Sequence, residues 1–217
     1  MKYNSNNLPK QIPLFPLPGA LLLPKSKLPL NLFEPKYLAM LNDVLKTEDR
    51  LIGMIQPVST PEGTTASRQL HQIGCAGRIV SFNETKDGRY LITLEGISRY
   101  RFRSLDEGFY PYTKGNVSWD SFSDDLEKTK PDNNFNRSKF LEILSKYFAA
   151  AQLSSDWGSL KEADEELLIN SLSMLCPFDP EEKQALLEAP SLEYRRETLV
   201  TLMESNLQGG IDEETLQ

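Results

Sequence analysis

The stretch IPLFPLPGALLLPKSKLPLNLFEPKYLAML, Ile12 to Leu41, decides the fold, because it packs six prolines among apolar residues and then changes its hydrophobic period. Both faces of an extended 12–17 segment are apolar, which predicts a strand buried on two sides. Proline donates no hydrogen bond to a neighbouring strand, so Pro13, Pro16 and Pro18 place this strand at a sheet edge or a barrel seam.

Two further short strands are predicted over 20–23 and 28–33, and a helix follows them. At Phe33-Glu34-Pro35 the hydrophobic period switches from that of a strand to that of a helix. Pro35 suits the first helical position, and Glu34 precedes it where a helix start favours negative charge. The apolar spacing then predicts a helix of about three turns that ends near Lys46.

The middle of the chain continues as strands. Strands are predicted over 51–55 and 73–82, and Asp87-Gly88 predicts the turn of a hairpin. Further strands are predicted over 89–95 and 99–103, with a last one that runs to Trp119. About six strands, mostly linked by hairpins and with proline at the seams, indicate a small, partly open barrel.

The carboxyl-terminal part reads as helical. Residues 120–136 are polar, acidic and interrupted by Pro131, which indicates a boundary. We therefore divide the chain into a β subdomain over 1–120, an acidic linker over 121–136 and a helical subdomain over 137–217.

Four helices are predicted after that linker. The first carries an apolar stripe over 140–151, and the second opens on a Ser159/Glu162 capping box and runs to Leu172. A third begins at the strong signal Asp179-Pro180-Glu181-Glu182. The last runs through Met203 and is expected to end before Gly209-Gly210.

Three motifs, in this order, resemble the amino-terminal LON domain of ATP-dependent Lon proteases, the peptidase S16 family. The first is the Pro-Leu-Phe-Pro-Leu run at 13–17, followed by Leu-Pro-Leu at 28–30 and Phe-Glu-Pro-Lys-Tyr at 33–37. The second comprises Ile-Gly-Cys-Ala-Gly-Arg-Ile at 73–79, Asp-Gly-Arg at 87–89 and Leu-Glu-Gly-Ile-Ser-Arg-Tyr-Arg at 94–101. The third is Glu-Lys-Gln-Ala-Leu-Leu-Glu at 182–188, followed by Arg195 and Arg196.

The resemblance implies an α+β fold: a PUA-like β pseudobarrel with one inserted helix, followed by a C-terminal helical bundle. It implies a domain that contacts substrate polypeptide and supports assembly. A full Lon protease carries an ATPase module and a Ser-Lys peptidase module after this domain, and this chain ends where they would begin. We therefore expect neither proteolysis nor ATP hydrolysis.

Charge, hydropathy and cysteine content narrow the possible ligands and the expected location of the protein. A net charge of −7 and a pI near 4.9 argue against a general surface for DNA or for anionic membranes. The N-terminus lacks the apolar core of a signal peptide, and no apolar run approaches the ~20 residues that a membrane span needs. Cys75 and Cys176 are too few for a disulfide framework or a zinc site. We expect a cytoplasmic protein with reduced thiols.

The sequence shows no catalytic or metal-binding constellation. His71 is the only histidine, so a multi-histidine metal site is excluded and a Ser-His-Asp triad would depend on one loop residue. Nucleophile-elbow, Ser-x-x-Lys, phosphate-loop and dinucleotide-binding motifs are absent. We predict no catalytic residue, no metal and no cofactor, and an enzyme of unknown type is the weakest hypothesis.

The leading hypothesis is a non-catalytic module that binds unfolded or partly folded polypeptide, as an adaptor or regulator beside a protease or chaperone machine. The expected binding surface lies where the strand aromatics meet the first helix, although regular apolar spacing equally indicates core packing. Arg99 is also expected to pair with an acid such as Glu34 or Glu95. The candidate binding residues are Phe15, Phe33, Glu34, Pro35, Tyr37 and Arg99.

The alternative hypothesis is RNA binding, since PUA-like barrels often bind RNA. Arg99, Arg101 and Arg103 alternate along one strand and share one face. The aromatics of that strand face the other way, so arginines and aromatics do not grip one base together.

Overall fold

A computed structural model of the chain describes residues 3, 4, 7–59, 69–128, 132 and 134–214, with the backbone alone for 209–214. Four sequence interpretations fall partly outside these residues: the loose tail at 1–7, the loop at 57–72, the end of the linker and the frayed C-terminus. The chain divides into two compact units. The first comprises Met1–Lys128 with Phe178–Leu187, and the second comprises Thr129–Pro177 with Glu188–Gln217.

The first unit is built on a mixed sheet. Its strands pair in the order β2-β5-β4-β3-β1-β6, and β5 also pairs with β6, so that five of the six strands close into a ring. The strands are β1 (Gln11–Pro16), β2 (Lys27–Leu32), β3 (Leu51–Ile55), β4 (Ile73–Glu84), β5 (Tyr90–Leu105) and β6 (Lys114–Ser118). The predicted α+β class is confirmed, and the finer description as a PUA-like pseudobarrel with a helical bundle stays a prediction.

The first strand lies inside the ring and not at an edge. β1 pairs in parallel with β3 from Leu14 to Pro16 and antiparallel with β6 from Gln11 to Pro13. Both prolines thus stand at the last position of a ladder, where a missing N–H costs least. Of the two positions predicted from sequence, a sheet edge or a barrel seam, the edge is wrong, because β1 joins β6 through its first half and β3 through its second half in two short ladders that do not overlap.

The segment 20–23 forms no strand, although its leucines are buried. It passes close to β5 at Gly96, where an added Cβ would lie 2.0 Å from the carbonyl oxygen of Leu23. Lys25 N–H donates to the Gly96 carbonyl and Gly96 N–H donates to the Ser26 carbonyl. The apolar run therefore fills the core without forming a strand. Gly96 permits its close approach to β5, because glycine has no Cβ that would collide with Leu23.

Local signals placed several elements correctly. Helix α1 (Pro35–Val44) begins with Glu34 as its N-cap and Pro35 in its first turn. Gly88 adopts a φ of 75° in the turn between β4 and β5. Helix α5 (Pro180–Glu188) opens on a reciprocal capping box, in which the Glu182 N–H donates to Asp179 Oδ1 at 2.8 Å and the Asp179 N–H donates to Glu182 Oε2 at 2.9 Å.

The unit boundary differs from the division made from sequence. Residues Asp120–Leu126, assigned there mostly to the linker, form a 3-10 helix of the first unit with Phe122 buried. Phe178–Leu187, assigned to the helical subdomain, also belongs to the first unit. Both segments contribute buried side chains to the first unit. Their polar and acidic composition did not indicate this burial.

The second unit consists of α2 (Arg137–Ala150), α3 (Trp157–Glu162), α4 (Glu165–Leu175) and α6 (Leu192–Glu214). The predicted helix from Ser159 to Leu172 is two helices, because Ala163 is extended and Asp164 caps α4 by accepting the N–H of Leu167. Helix α6 continues past Gly209-Gly210 to Glu214, so its predicted end was wrong. Among the described residues, no helix is long and apolar enough to cross a bilayer.

A charged cluster in the second unit predicts a pH effect. Burial first, and then the negative charge of Asp132, raise the pKa of Glu165 above its ordinary 4.5, while a hydrogen bond from the Asp132 backbone and the charges of Arg196 and Arg137 oppose the rise. The folded state therefore binds the Glu165 proton more tightly than the unfolded state. Its stabilising contribution is complete below about pH 4.5 and is lost as pH rises through the folded-state pKa.

We accordingly expect Glu165→Gln to raise the free energy of unfolding of the second unit at pH 7. The gain should shrink as pH falls towards 4.5, where native Glu165 is itself protonated. Urea unfolding monitored by Trp157 fluorescence at several pH values measures the difference. Glu166→Gln, one residue along the same helix turn, is the control. A Glu165→Gln variant that is less stable than the native protein at pH 7 would contradict the prediction.

Candidate functional site

A groove of about 690 Å³ opens on the first unit and is rich in tyrosine and proline. Its volume lies in the range of ligand-binding clefts. Tyr37 comes from α1, and Tyr110 and Tyr112 come from the connection between β5 and β6. The described residues that line it are Pro16, Pro18, Lys36, Tyr37, Pro57, Val58, Leu70, Leu105, Tyr110, Pro111, Tyr112 and Thr113.

Tyr37 is held in place from behind by the sheet. Phe15 of β1 is buried, and its ring meets the Tyr37 ring edge-on with centroids 4.1 Å apart. The Lys36 ammonium lies 4.6 Å from the centre of the same Tyr37 ring and binds Glu34 Oε2 at 2.9 Å. The helix start that the Glu34-Pro35 signal specifies thus presents an oriented aromatic ring to the groove.

The second wall is formed by Tyr110-Pro111-Tyr112. The rings of Tyr110 and Tyr112 have centroids 5.9 Å apart and are inclined by 32°. The Tyr112 hydroxyl donates to Asp43 Oδ2 at 3.2 Å, and burial followed by the negative charge of Asp43 raises the pKa of Tyr112 to about 12. Tyr112 therefore stays neutral and anchored, whereas Tyr110 remains 41% exposed at the rim.

The rim also carries large apolar side chains in contact with solvent. Leu105 lines the groove and is 54% exposed, and Phe109 precedes Tyr110 with a fully exposed ring. The Lys114 ammonium lies 4.4 Å from the centre of the Tyr110 ring. Exposed aromatic and aliphatic groups beside a concave surface are typical of binding sites for other molecules.

The structure brings only part of the predicted site to the groove. Tyr37 lines the groove, and Phe15 packs against the Tyr37 ring. Glu34 forms an ion pair with Lys36, which also lines the groove. Phe33 is 61% exposed but lies near Arg89, whose guanidinium carbon is 5.8 Å from the centre of its ring. Phe33 and Pro35 are exposed and are not among the lining residues.

Arg99 lies elsewhere and is buried. It binds Asp125 of the 3-10 helix through its own N–H, its Nε and its second guanidinium nitrogen, at 2.9, 2.9 and 2.8 Å. The predicted pairing of Arg99 with an acid is confirmed, but the acid is Asp125, and the named examples Glu34 and Glu95 were wrong. The remaining guanidinium nitrogen donates to the Leu187 carbonyl, and the group lies over the Phe122 ring at 4.6 Å. Arg99 thus joins three segments of the first unit.

Sequence reasoning missed the wall opposite Tyr37. The sequence Tyr110-Pro111-Tyr112 indicated only a segment that leads into the last predicted strand, which ends near Trp119. Its place beside the groove depends on the pairing of β5 from Arg101 to Leu105 with β6, which is a contact between strands that the local sequence does not reveal. Among the described residues, no group of three His, Cys, Asp or Glu side chains is arranged to hold a metal ion.

The sequence matches the family of the ATP-dependent protease La (LON) substrate-binding domain over residues 11–205. The chain belongs to this family. This LON domain is 24% identical to a Lon protease of Flavobacterium johnsoniae over 217 residues, and 25% identical to Lon protease 2 of Myxococcus xanthus over 210 residues. The two matches cover 94% and 92% of this chain, and the LON domain spans about a quarter of the length of these relatives (25% and 24%).

Two solved structures share the fold of this LON domain. The Lon N-terminal domain protein of Xanthomonas campestris has a TM-score of 0.57 at 22% identity, covering 88% of this chain and 97% of its own. The N-terminal domain of a Mycobacterium avium complex Lon protease has a TM-score of 0.64 at 12% identity, covering 90% and 98%. At such identities the likeness establishes the fold, and the part of the Lon architecture that is matched is the substrate-binding domain.

Proposed function

We propose that this LON domain is a non-catalytic module that binds extended segments of unfolded or partly folded polypeptide in the tyrosine- and proline-lined groove. The observation that carries the proposal is the pairing of a concave apolar surface with rings that are already oriented before binding. Phe15 supports Tyr37, and Asp43 anchors Tyr112. Preorganised aromatic rings lose little conformational freedom on binding, so more of the contact energy appears as affinity.

The family supports a role in supplying substrate to ATP-dependent proteolysis. The matched family is that of substrate-binding domains. An adaptor or regulator of a protease or chaperone machine in the cytoplasm is the role that we propose for the chain. Tyr37 and the residues around it, Phe15 and Glu34, form the part of the predicted site on which this proposal rests.

RNA binding has little support from the arginine-bearing strand. Arg99 is occupied by Asp125, and Arg101 donates to the Gln72 side chain at 3.3 Å. With a net charge of −7, the protein also repels a phosphate backbone at long range.

The test is a fluorescence-anisotropy titration of the 217-residue protein against a labelled, permanently unfolded polypeptide, with a labelled single-stranded RNA alongside, at low and moderate salt. We expect saturable polypeptide binding that survives added salt, because apolar contacts are not screened. Tyr110→Ala should weaken it by about 1–2 kcal/mol, roughly five- to thirtyfold in Kd.

The matched control is Tyr194→Ala, since Tyr194 is also exposed, at 57%, and lies on α6 outside the groove. Equal losses in both tyrosine variants would argue against the groove. Salt-sensitive RNA binding without polypeptide binding would overturn the proposed function.

A further inference from the structure

We infer that the groove selects proline-containing segments in the polyproline II conformation, with an acidic residue placed to meet Lys114. This inference rests on the proposed function, because it specifies which polypeptide segments the groove prefers. Three observations carry it: the state of the strand edges, the geometry of the lining rings and the charge at the rim.

Backbone groups beside the groove are already engaged within the protein. Each strand of the five-strand ring has two neighbours, and next to the groove-lining Pro16 and Pro18 the Leu14 N–H donates to the Thr113 carbonyl while the Leu17 N–H donates to the Ile55 carbonyl. Of the six described strands, β2 alone pairs with a single neighbour, and it carries Lys27 and Pro29, which discourage strand addition. These engaged backbone groups favour recognition of a ligand through side-chain contacts.

The lining suits a ligand that needs no backbone partner. A polyproline II segment has roughly three residues per turn, no internal hydrogen bonds and a solvated backbone, and it docks on aromatic-lined grooves through its proline rings. Tyr110 and Tyr112 present neighbouring rings, with centroids 5.9 Å apart and planes tilted by 32°. Tyr37 lines the same groove with its orientation set by Phe15. Such aromatic surfaces receive compact pyrrolidine rings at a low entropy cost, because proline restricts the backbone before binding.

The charge at the rim completes the description of the ligand. Lys36 is paired with Glu34, so its charge is already compensated. Lys114 lies over the Tyr110 ring, and no carboxylate of the described residues lies within ion-pair distance of its ammonium. Asp106 binds Lys114 only through the backbone, by donating its N–H to the Lys114 carbonyl. A ligand carboxylate beside Tyr110 would therefore find an uncompensated cation.

The experiment uses three short labelled peptides of equal length, titrated against the full chain. The first alternates proline and leucine next to a glutamate, the second replaces every proline with alanine, and the third replaces the glutamate with glutamine. We expect the first to bind at least about tenfold more tightly than the second, since alanine peptides must pay the full cost of ordering. Lys114→Met should weaken binding of the first peptide more than binding of the third, so that the preference of the first over the third is lost.

The outcomes separate the two proposals. If the unfolded polypeptide binds but the proline peptide binds no better than its alanine counterpart, this inference is overturned and the proposed function stands. If neither the proline peptide nor the unfolded polypeptide binds, the proposed function and this inference are both overturned. Equal effects of Lys114→Met on the first and third peptides would overturn the acidic preference alone. A native circular-dichroism spectrum and melting curve of the Lys114→Met protein must accompany the titration.

Discussion

Asp125→Ala is expected to lower the free energy of unfolding of the first unit by about 3–5 kcal/mol, because it removes the buried carboxylate that forms an ion pair with Arg99. The side chains of Arg99 and Asp125 are only 6% and 9% exposed. Asp125 accepts three of the hydrogen bonds that Arg99 donates, one of them from the backbone N–H. Urea unfolding followed by Trp119 fluorescence, in a Trp157→Phe background, measures the loss in the unit that contains the pair.

Two further variants sharpen this test. Glu107→Ala removes an exposed carboxylate from the same unit, and we expect it to change stability by less than about 0.5 kcal/mol. The double variant Arg99→Met with Asp125→Leu removes both charges and should recover much of the loss, since apolar groups of similar volume replace buried ion pairs at little cost. Asp125→Ala with near-native stability would show that Arg99 reaches water and that the 3-10 helix is not fastened by this pair.

Tyr100→Ala is expected to cost about 3–5 kcal/mol, the range for deleting a large buried aromatic side chain. Tyr100 is fully buried, packs edge-on against Trp119 with centroids 5.8 Å apart, and donates from its hydroxyl to the Met54 carbonyl at 3.1 Å. Gly74 makes room for the ring, since an added Cβ there would lie 2.5 Å from it. The same urea titration measures the loss.

Tyr100→Phe separates the ring from its hydroxyl. This variant keeps the packing and leaves the Met54 carbonyl without its donor, so we expect a loss of about 1 kcal/mol. Tyr90→Ala, a half-buried tyrosine at the start of the same strand, should cost much less than Tyr100→Ala. If Tyr90→Ala and Tyr100→Ala proved equally destabilising, Tyr100 would not be at the centre of the core.

The candidate site was only half visible in the sequence. The switch of period at Phe33-Glu34-Pro35 located α1 and, with it, Tyr37 on one wall of the groove. The other wall, Tyr110-Pro111-Tyr112, depends on the path of the chain between the paired strands β5 and β6. No local sequence pattern in these residues indicates that path. Arg99 was selected for its charge, and its burial depends on an acid 26 residues further along the chain.

The sequence by itself determined what short-range physics controls: the cap and first turn of α1, the Asp87-Gly88 turn and the capping box of α5. In each case the deciding atoms lie within a few residues of one another, so the pattern is sufficient. Only the tertiary structure decided that β1 lies between two strands, that 20–23 fills the core as irregular chain and that Asp125 neutralises Arg99. Those outcomes depend on contacts between segments that are distant in the chain. There the closure of the sheet and the pairing of buried charges outweigh the local conformational preferences of the residues.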